Sequence, residues 1–331
     1  MSTMRHVGVL ALAACGVLAY GVYRTWQPYQ GFSGEVFVDF SRGTGTGAMA
    51  DALARAGVVR SRWDFLLARA VHRWGVLQAG EYRFTKAASP AEVISRIRRG
   101  DVFYYELVVP EGKNMFDIAA SAEDLGLFKA VDFLRAARDP ELIRDIDPKA
   151  PTLEGYLFPD TYKLSRHTTP ERLCKLMTTK FREAWNGLHS DANVHDAMTM
   201  ASLVEKEGKL AEERPKIAAV FTNRLRIGMK LDCDPTTIYA ALLESRYRGT
   251  IYRSDLDRDH AYNTYHYAGL PPGPIANPGV ASMRAALAPA GIDSLYFVAR
   301  ADGSGGHEFS SSIAAHEDAV SRYHRAVRKL H

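Results

Sequence analysis

Val7 to Tyr23 reads V-G-V-L-A-L-A-A-C-G-V-L-A-Y-G-V-Y, 17 residues without a charge. A helix buried in a soluble core keeps a polar stripe, and this run has none, so a membrane segment or signal is predicted. Arg5 and Arg24 bracket it, and Tyr20, Tyr23 and Trp26 stand where an interfacial aromatic belt would lie. Leu12-Ala13-Ala14-Cys15 also reads as a lipobox. The apolar run continues for eight residues past that cysteine, which favours an uncleaved anchor. Either reading places the bulk of the chain outside the cytoplasm, and the favoured anchor makes it a single-pass protein of the cytoplasmic membrane.

The rest is long enough for two or three domains: the chain has 331 residues in all, 47% hydrophobic and 24% charged, which excludes disorder over most of it. Lys plus Arg exceed Asp plus Glu by 42 to 38, too small an excess for a nucleic-acid binder. Three cysteines make no disulfide framework, and neither C-x-x-C nor H-E-x-x-H occurs. G-x-G-x-x-G and Walker A loops are also missing. No metal and no cofactor is predicted, and the chemistry should come from acid–base side chains.

Periodicity predicts an α+β protein. Strands are expected at 36–40, 79–84 and 102–109, with helices at 48–56, 61–71 and 89–98, the last started by Ser89-Pro90. This βααβ unit resembles a LysM module. Helix is predicted over 115–137, 170–188, 194–207 and 214–226, then a loop-rich stretch over 232–278. A strand at 295–299, a glycine turn at 303–306 and a terminal helix from about Ser311 complete the chain. The domain reading is an anchor over 1–30, a LysM-like α+β domain over 31–110, a helical connection over 111–152, and a mixed α/β catalytic domain over 153–331.

In the helix ending at Gly208, Ala197, Met200, Ala201 and Val204 fall on one face at i, i+3, i+4 and i+7. Glu207 continues that buried stripe, whereas Glu205 projects to one side. A carboxyl at the end of an apolar stripe loses hydration of its charged form, so its pKa rises. A neutral carboxylic acid is what a general acid must be. The competing reading is a solvated helix end formed by Glu205, Lys206 and Glu207.

Ala201–Gly208 resembles the A-S-I-[IV]-E-K-E-[TA] motif of the YceG-like family of membrane-bound endolytic transglycosylases. Further matches follow in order: Val220–Leu231, Asp234-Pro235-Thr236, Tyr262-Asn263-Thr264-Tyr265, Gly269–Ile275, Asn277-Pro278-Gly279, Tyr296–Ala299 and Gly306–Ser310. Gly208 and Cys233 depart from the usual residues, and neither change removes an acid–base group. The resemblance implies cleavage of the MurNAc-β-1,4-GlcNAc bond within peptidoglycan strands, leaving 1,6-anhydro-MurNAc ends and terminating strand elongation. It assigns the catalytic role to Glu207, first as acid and then as base. The implied partners are glycan strands, the membrane and peptidoglycan synthases, with no nucleic acid.

Supporting roles stay open. Glu205 either braces the site or forms a surface pair with Lys206 or Arg214. Asn223 and Arg224 orient Glu207, hold sugar oxygens, or make structural bonds. Asp234, Thr236, Tyr262, Asn263 and Thr264 are candidate groove residues, and His307 reaches the cleft or caps a turn. Two other functions compete: a non-catalytic wall-binding scaffold, and a hydrolase that yields reducing ends.

Overall fold

A computed structural model describes residues 12, 15–16, 19–71 and 75–328. The predicted span lies largely outside them. Residues 19–24 are helical, and among the described residues no helix is long and apolar enough to cross a membrane. The chain forms two units, 1–105 and 106–331.

The first unit runs β1 (Val36–Phe40), α1 (Thr46–Arg55), α2 (Arg62–Val71), β2 (Gly80–Phe84) and α3 (Pro90–Arg99). β1 and β2 pair antiparallel, with Val38 opposite Tyr82. Strand alternation turns Val38, Phe40, Tyr82 and Phe84 onto Leu53, Phe65, Ile94 and Ile97, which form its core. The Ser89 side chain and Glu92 make a reciprocal capping box at the start of α3, and Gly100 closes the helix at φ 71°.

The second unit begins within β3 (Tyr105–Val108), which pairs with β4 (Thr161–Leu164). Between them lie α4 (Met115–Asp124) and α5 (Ala130–Ala137). The single helix predicted over 115–137 is therefore two, broken where Gly126 takes φ 73°. Next come α6 (Pro170–Asn186), α7 (Val194–Glu207), α8 (Arg214–Arg226), α9 (Asp234–Leu243), α10 (Arg253–Leu256) and α11 (Val280–Leu287). β5 (Tyr296–Ala299), β6 (His307–Ser310) and α12 (Ile313–Val327) end the chain, β5 and β6 forming an antiparallel hairpin.

The loop reading of 232–278 missed α9. Its Ile238–Leu243 run is apolar without a polar phase, so no helical period shows; Pro235 in the first turn was the available signal. α7 sits against α8, α9 and α11, and every residue from Ala197 to Val204 is buried. A helix packed from several sides has no wet face, so the predicted stripe is only part of its buried surface.

One polar cluster ties this unit together. The Asn277 carbonyl accepts the N–H groups of Gly155 (2.8 Å) and Leu157 (2.9 Å). Its amide donates to the Lys113 carbonyl (2.9 Å) and to Glu154 (2.8 Å). Glu154 also accepts the Met115 N–H at 2.9 Å. Burial pushes the Glu154 carboxyl up to about 8, against the lowering effect of the Met115 N–H. The fold thus binds this proton more tightly than the unfolded chain, whose carboxyl titrates near 4.5. Its stabilising contribution is full below that value and is lost as pH rises through about 8. Comparing melting temperatures of wild type and Glu154→Gln across that window should show the wild type losing ground steadily as pH rises. A constant difference would refute the assignment.

Candidate active site

Glu207 is the last residue of α7, and Gly208 caps the helix. Gly208 sits at φ −84°, not in the left-handed region. What requires its small size is crowding: a Cβ there would lie 2.9 Å from Arg214 Cγ and 3.0 Å from the Val204 carbonyl oxygen. The chain turns sharply, and Glu207 is presented to a cleft of about 480 Å³.

Three sequence-selected residues line that cleft: Glu207, Arg224 and Asp234. Cys233, Asp232, Tyr265, Tyr296, Phe297 and His316 join them. Burial raises the Glu207 pKa above the ordinary carboxylate range. The Cys233 hydrogen bond opposes this, the Asp234 charge adds to it, and His307 and Lys206 pull it down. The Cys233 thiol donates to Glu207 Oε1 at 3.3 Å. Its backbone is pinned by Thr264 Oγ1, which accepts the Cys233 N–H at 3.0 Å, and by Thr236 Oγ1, which donates to its carbonyl at 2.7 Å.

Thr236, Tyr262, Asn263 and Thr264 are buried behind the cleft wall. The Asn263 amide donates to the carbonyls of Leu256 (2.9 Å) and Arg258 (2.7 Å), and Tyr262 packs on Tyr239 with ring centroids 5.1 Å apart. Asn223 donates to the carbonyls of Ile292 and Ser294, holding the entry to β5. Arg224 donates to the carbonyls of Leu295 (2.6 Å) and Leu231 (3.0 Å), and stands 5.2 Å from the Tyr296 ring centroid. It thereby joins both cleft walls.

Asp232 lies beside Arg224 (3.4 Å) at φ 47°, a left-handed conformation that costs a non-glycine residue energy and gathers at functional sites. Asp234 accepts the Tyr265 hydroxyl at 2.6 Å. His307 is held by Glu213, whose carboxylate accepts its backbone N–H and contacts its Nδ1 at 2.8 Å. Burial works against ionisation of Glu213, but these bonds outweigh it and the carboxyl titrates below its usual range. The His307 ring meets Phe297 edge-on at 5.3 Å.

Glu205 is not a surface residue. Its side chain is 5% exposed, pairs with Arg214 at 3.0 Å, and accepts the Gly279 N–H at 3.0 Å. Arg214 also reaches Glu111 at 3.6 Å. The two motif carboxyls therefore divide: Glu205 joins α7 to the starts of α8 and α11, and Glu207 faces the cleft. Tyr265 and Tyr296 stand inside motifs already noted in the sequence; Asp232 and His316 carried no local signal.

The family model described as the YceG-like family matches residues 38–322. A Bacillus subtilis protein named endolytic murein transglycosylase is 32% identical over 309 residues, covering 87% of this chain and 84% of that one. A Streptococcus pneumoniae protein of the same name is 30% identical over 80% of this chain, which spans 54% of that protein's length. A crystal structure of a yceG-like protein from Listeria monocytogenes, 30% identical, covers 86% of this chain and 99% of its own, with a TM-score of 0.54.

Proposed function

This chain belongs to the YceG-like family, and on that footing we propose that it is an endolytic lytic transglycosylase acting on peptidoglycan, with Glu207 as its catalytic residue. The observation that carries the reading is a carboxyl at the end of a buried helix, its pKa raised by burial, facing a cleft of about 480 Å³. In its neutral form Glu207 protonates the glycosidic oxygen, and the GlcNAc unit leaves with a 4-hydroxyl. The MurNAc C6 hydroxyl then closes on C1, and the Glu207 carboxylate takes its proton. No water is consumed, and the residue returns to its starting state. The N-acetyl group can stabilise the cationic centre meanwhile.

Most glycoside hydrolases instead use a second carboxylate, as the base for water in inverting enzymes or as the nucleophile in retaining ones. Asp232 and Asp234 are in the cleft, but each is already engaged, with Arg224 and with Tyr265. Product mass separates the two readings, because anhydro ends are lighter by one water. Digestion of purified glycan strands should yield anhydro ends; reducing ends would overturn the proposal.

In the same reading, residues 7–23 anchor the chain, the N-terminal βααβ unit is a LysM-like glycan-holding module, and cutting beside the membrane limits strand length in company with synthases.

The thiol at Cys233 tunes the acid. Its hydrogen bond favours the Glu207 carboxylate, so Cys233→Ala should raise the Glu207 pKa and move the alkaline limb of the kcat–pH profile to higher pH. A hydrogen bond worth about 0.5–1.5 kcal/mol corresponds to a shift of up to about one pH unit. Cys233→Ser, which keeps a donor, should restore the limb. An unmoved limb in the alanine variant would show that the thiol is only packing.

A further inference from the structure

The net positive charge of the chain lies in its N-terminal part. Residues 24–105 carry twelve Lys and Arg against seven Asp and Glu, a net of +5, whereas residues 106–331 carry 29 against 31, a net of −2. Within that basic unit, α2 has two apolar sides. Phe65 and Ala68 are buried in the core. Trp63, Leu67 and Ala70 follow a second stripe at i, i+4 and i+7, on the opposite side of the helix. Trp63 is 70% exposed, although tryptophan is on average a highly buried residue.

That stripe is continuous with the N-terminal run. A Cβ on Gly21 would lie 2.9 Å from Leu67 Cδ2, so the two segments touch there. Arg24 locks the same junction through Asp64 at 2.8 Å. Arg62, whose guanidinium stands 5.4 Å from the Trp63 ring centroid and pairs with Asp51 at 3.2 Å, and Arg69 both lie along one edge of the stripe. An apolar stripe with an indole, edged by arginines and joined to the end of an uncharged run, fits the headgroup layer of a bilayer.

We infer that the outer face of α2, centred on Trp63 and Leu67, lies on an anionic phospholipid surface, so that the basic unit rests against the membrane. This rests on the proposed anchor at residues 7–23. The charge asymmetry selects the occupant: a net of +5 beside the span favours anionic headgroups, each basic residue near such a surface contributing on the order of 1 kcal/mol.

The test uses the full chain in phosphatidylcholine nanodiscs, with and without phosphatidylglycerol, containing brominated acyl chains that quench tryptophan. The chain has four tryptophans, so the difference between wild type and Trp63→Phe isolates Trp63. Trp63 should lose most of its emission in the anionic discs, and much less in neutral discs or at high salt. Quenching that is absent, or unchanged by lipid charge, overturns the inference. Release of the full chain from membranes by alkaline carbonate would instead overturn the anchor. A chain that stays embedded while Trp63 remains bright overturns this inference alone.

Discussion

Glu207→Gln is expected to lower the release of anhydro ends by about 10²–10⁴-fold, the usual contribution of a positioned acid–base group. The upper end is expected, because in the proposed mechanism the same carboxyl acts as acid and then as base. Glutamine keeps the shape and can still accept from the Cys233 thiol, but it has no proton to exchange. Folding should survive: burial already favours the neutral carboxyl at this position, and the amide is neutral at every pH. Chromatography of digests, with circular dichroism to verify the fold, measures both effects. Near wild-type release by Glu207→Gln, with activity abolished in Glu205→Gln, would move the role by two residues.

Glu205→Ala should produce the largest loss of stability, about 3–5 kcal/mol, as expected when one partner of a buried ion pair is removed. Arg214, only 12% exposed, would lose its nearest carboxylate, and the Gly279 N–H its acceptor. Glu205→Gln keeps an acceptor for one of the two donors and fills the same space, so it should cost less than the alanine change. Denaturant unfolding of the two variants gives the comparison directly. A cost below about 1 kcal/mol in the alanine variant would mean that the pair behaves as an ordinary exposed salt bridge. Residual activity in folded Glu205→Gln should fall through kcat rather than KM, since Glu205 positions the end of α7 and touches no substrate in this reading.

The helices carrying the site could be read from the chain because their signals are local. Thr169 and Asn193 cap α6 and α7 through side-chain oxygens accepting N–H groups three residues on, and Ser89 does the same for α3. Such bonds need only adjacent residues. β6 was overlooked for the opposite reason. Its four residues, His307–Ser310, hold no clean alternation, and the strand exists because it pairs with β5 across a glycine turn.

Sequence alone determined that Glu207 ends a buried helical stripe, because position on a helix follows from counting residues at a fixed turn. It also determined the family resemblance, carried by ordered motifs from Ala201 to Ser310. Only the tertiary structure decided what each carboxyl of the E-K-E triplet touches. Arg214 and Gly279, which engage Glu205, come from segments 9 and 74 residues away, and Cys233, which meets Glu207, is 26 residues on. Burial and charge at a side chain are set by what packs against it, and no spacing along one helix contains that information.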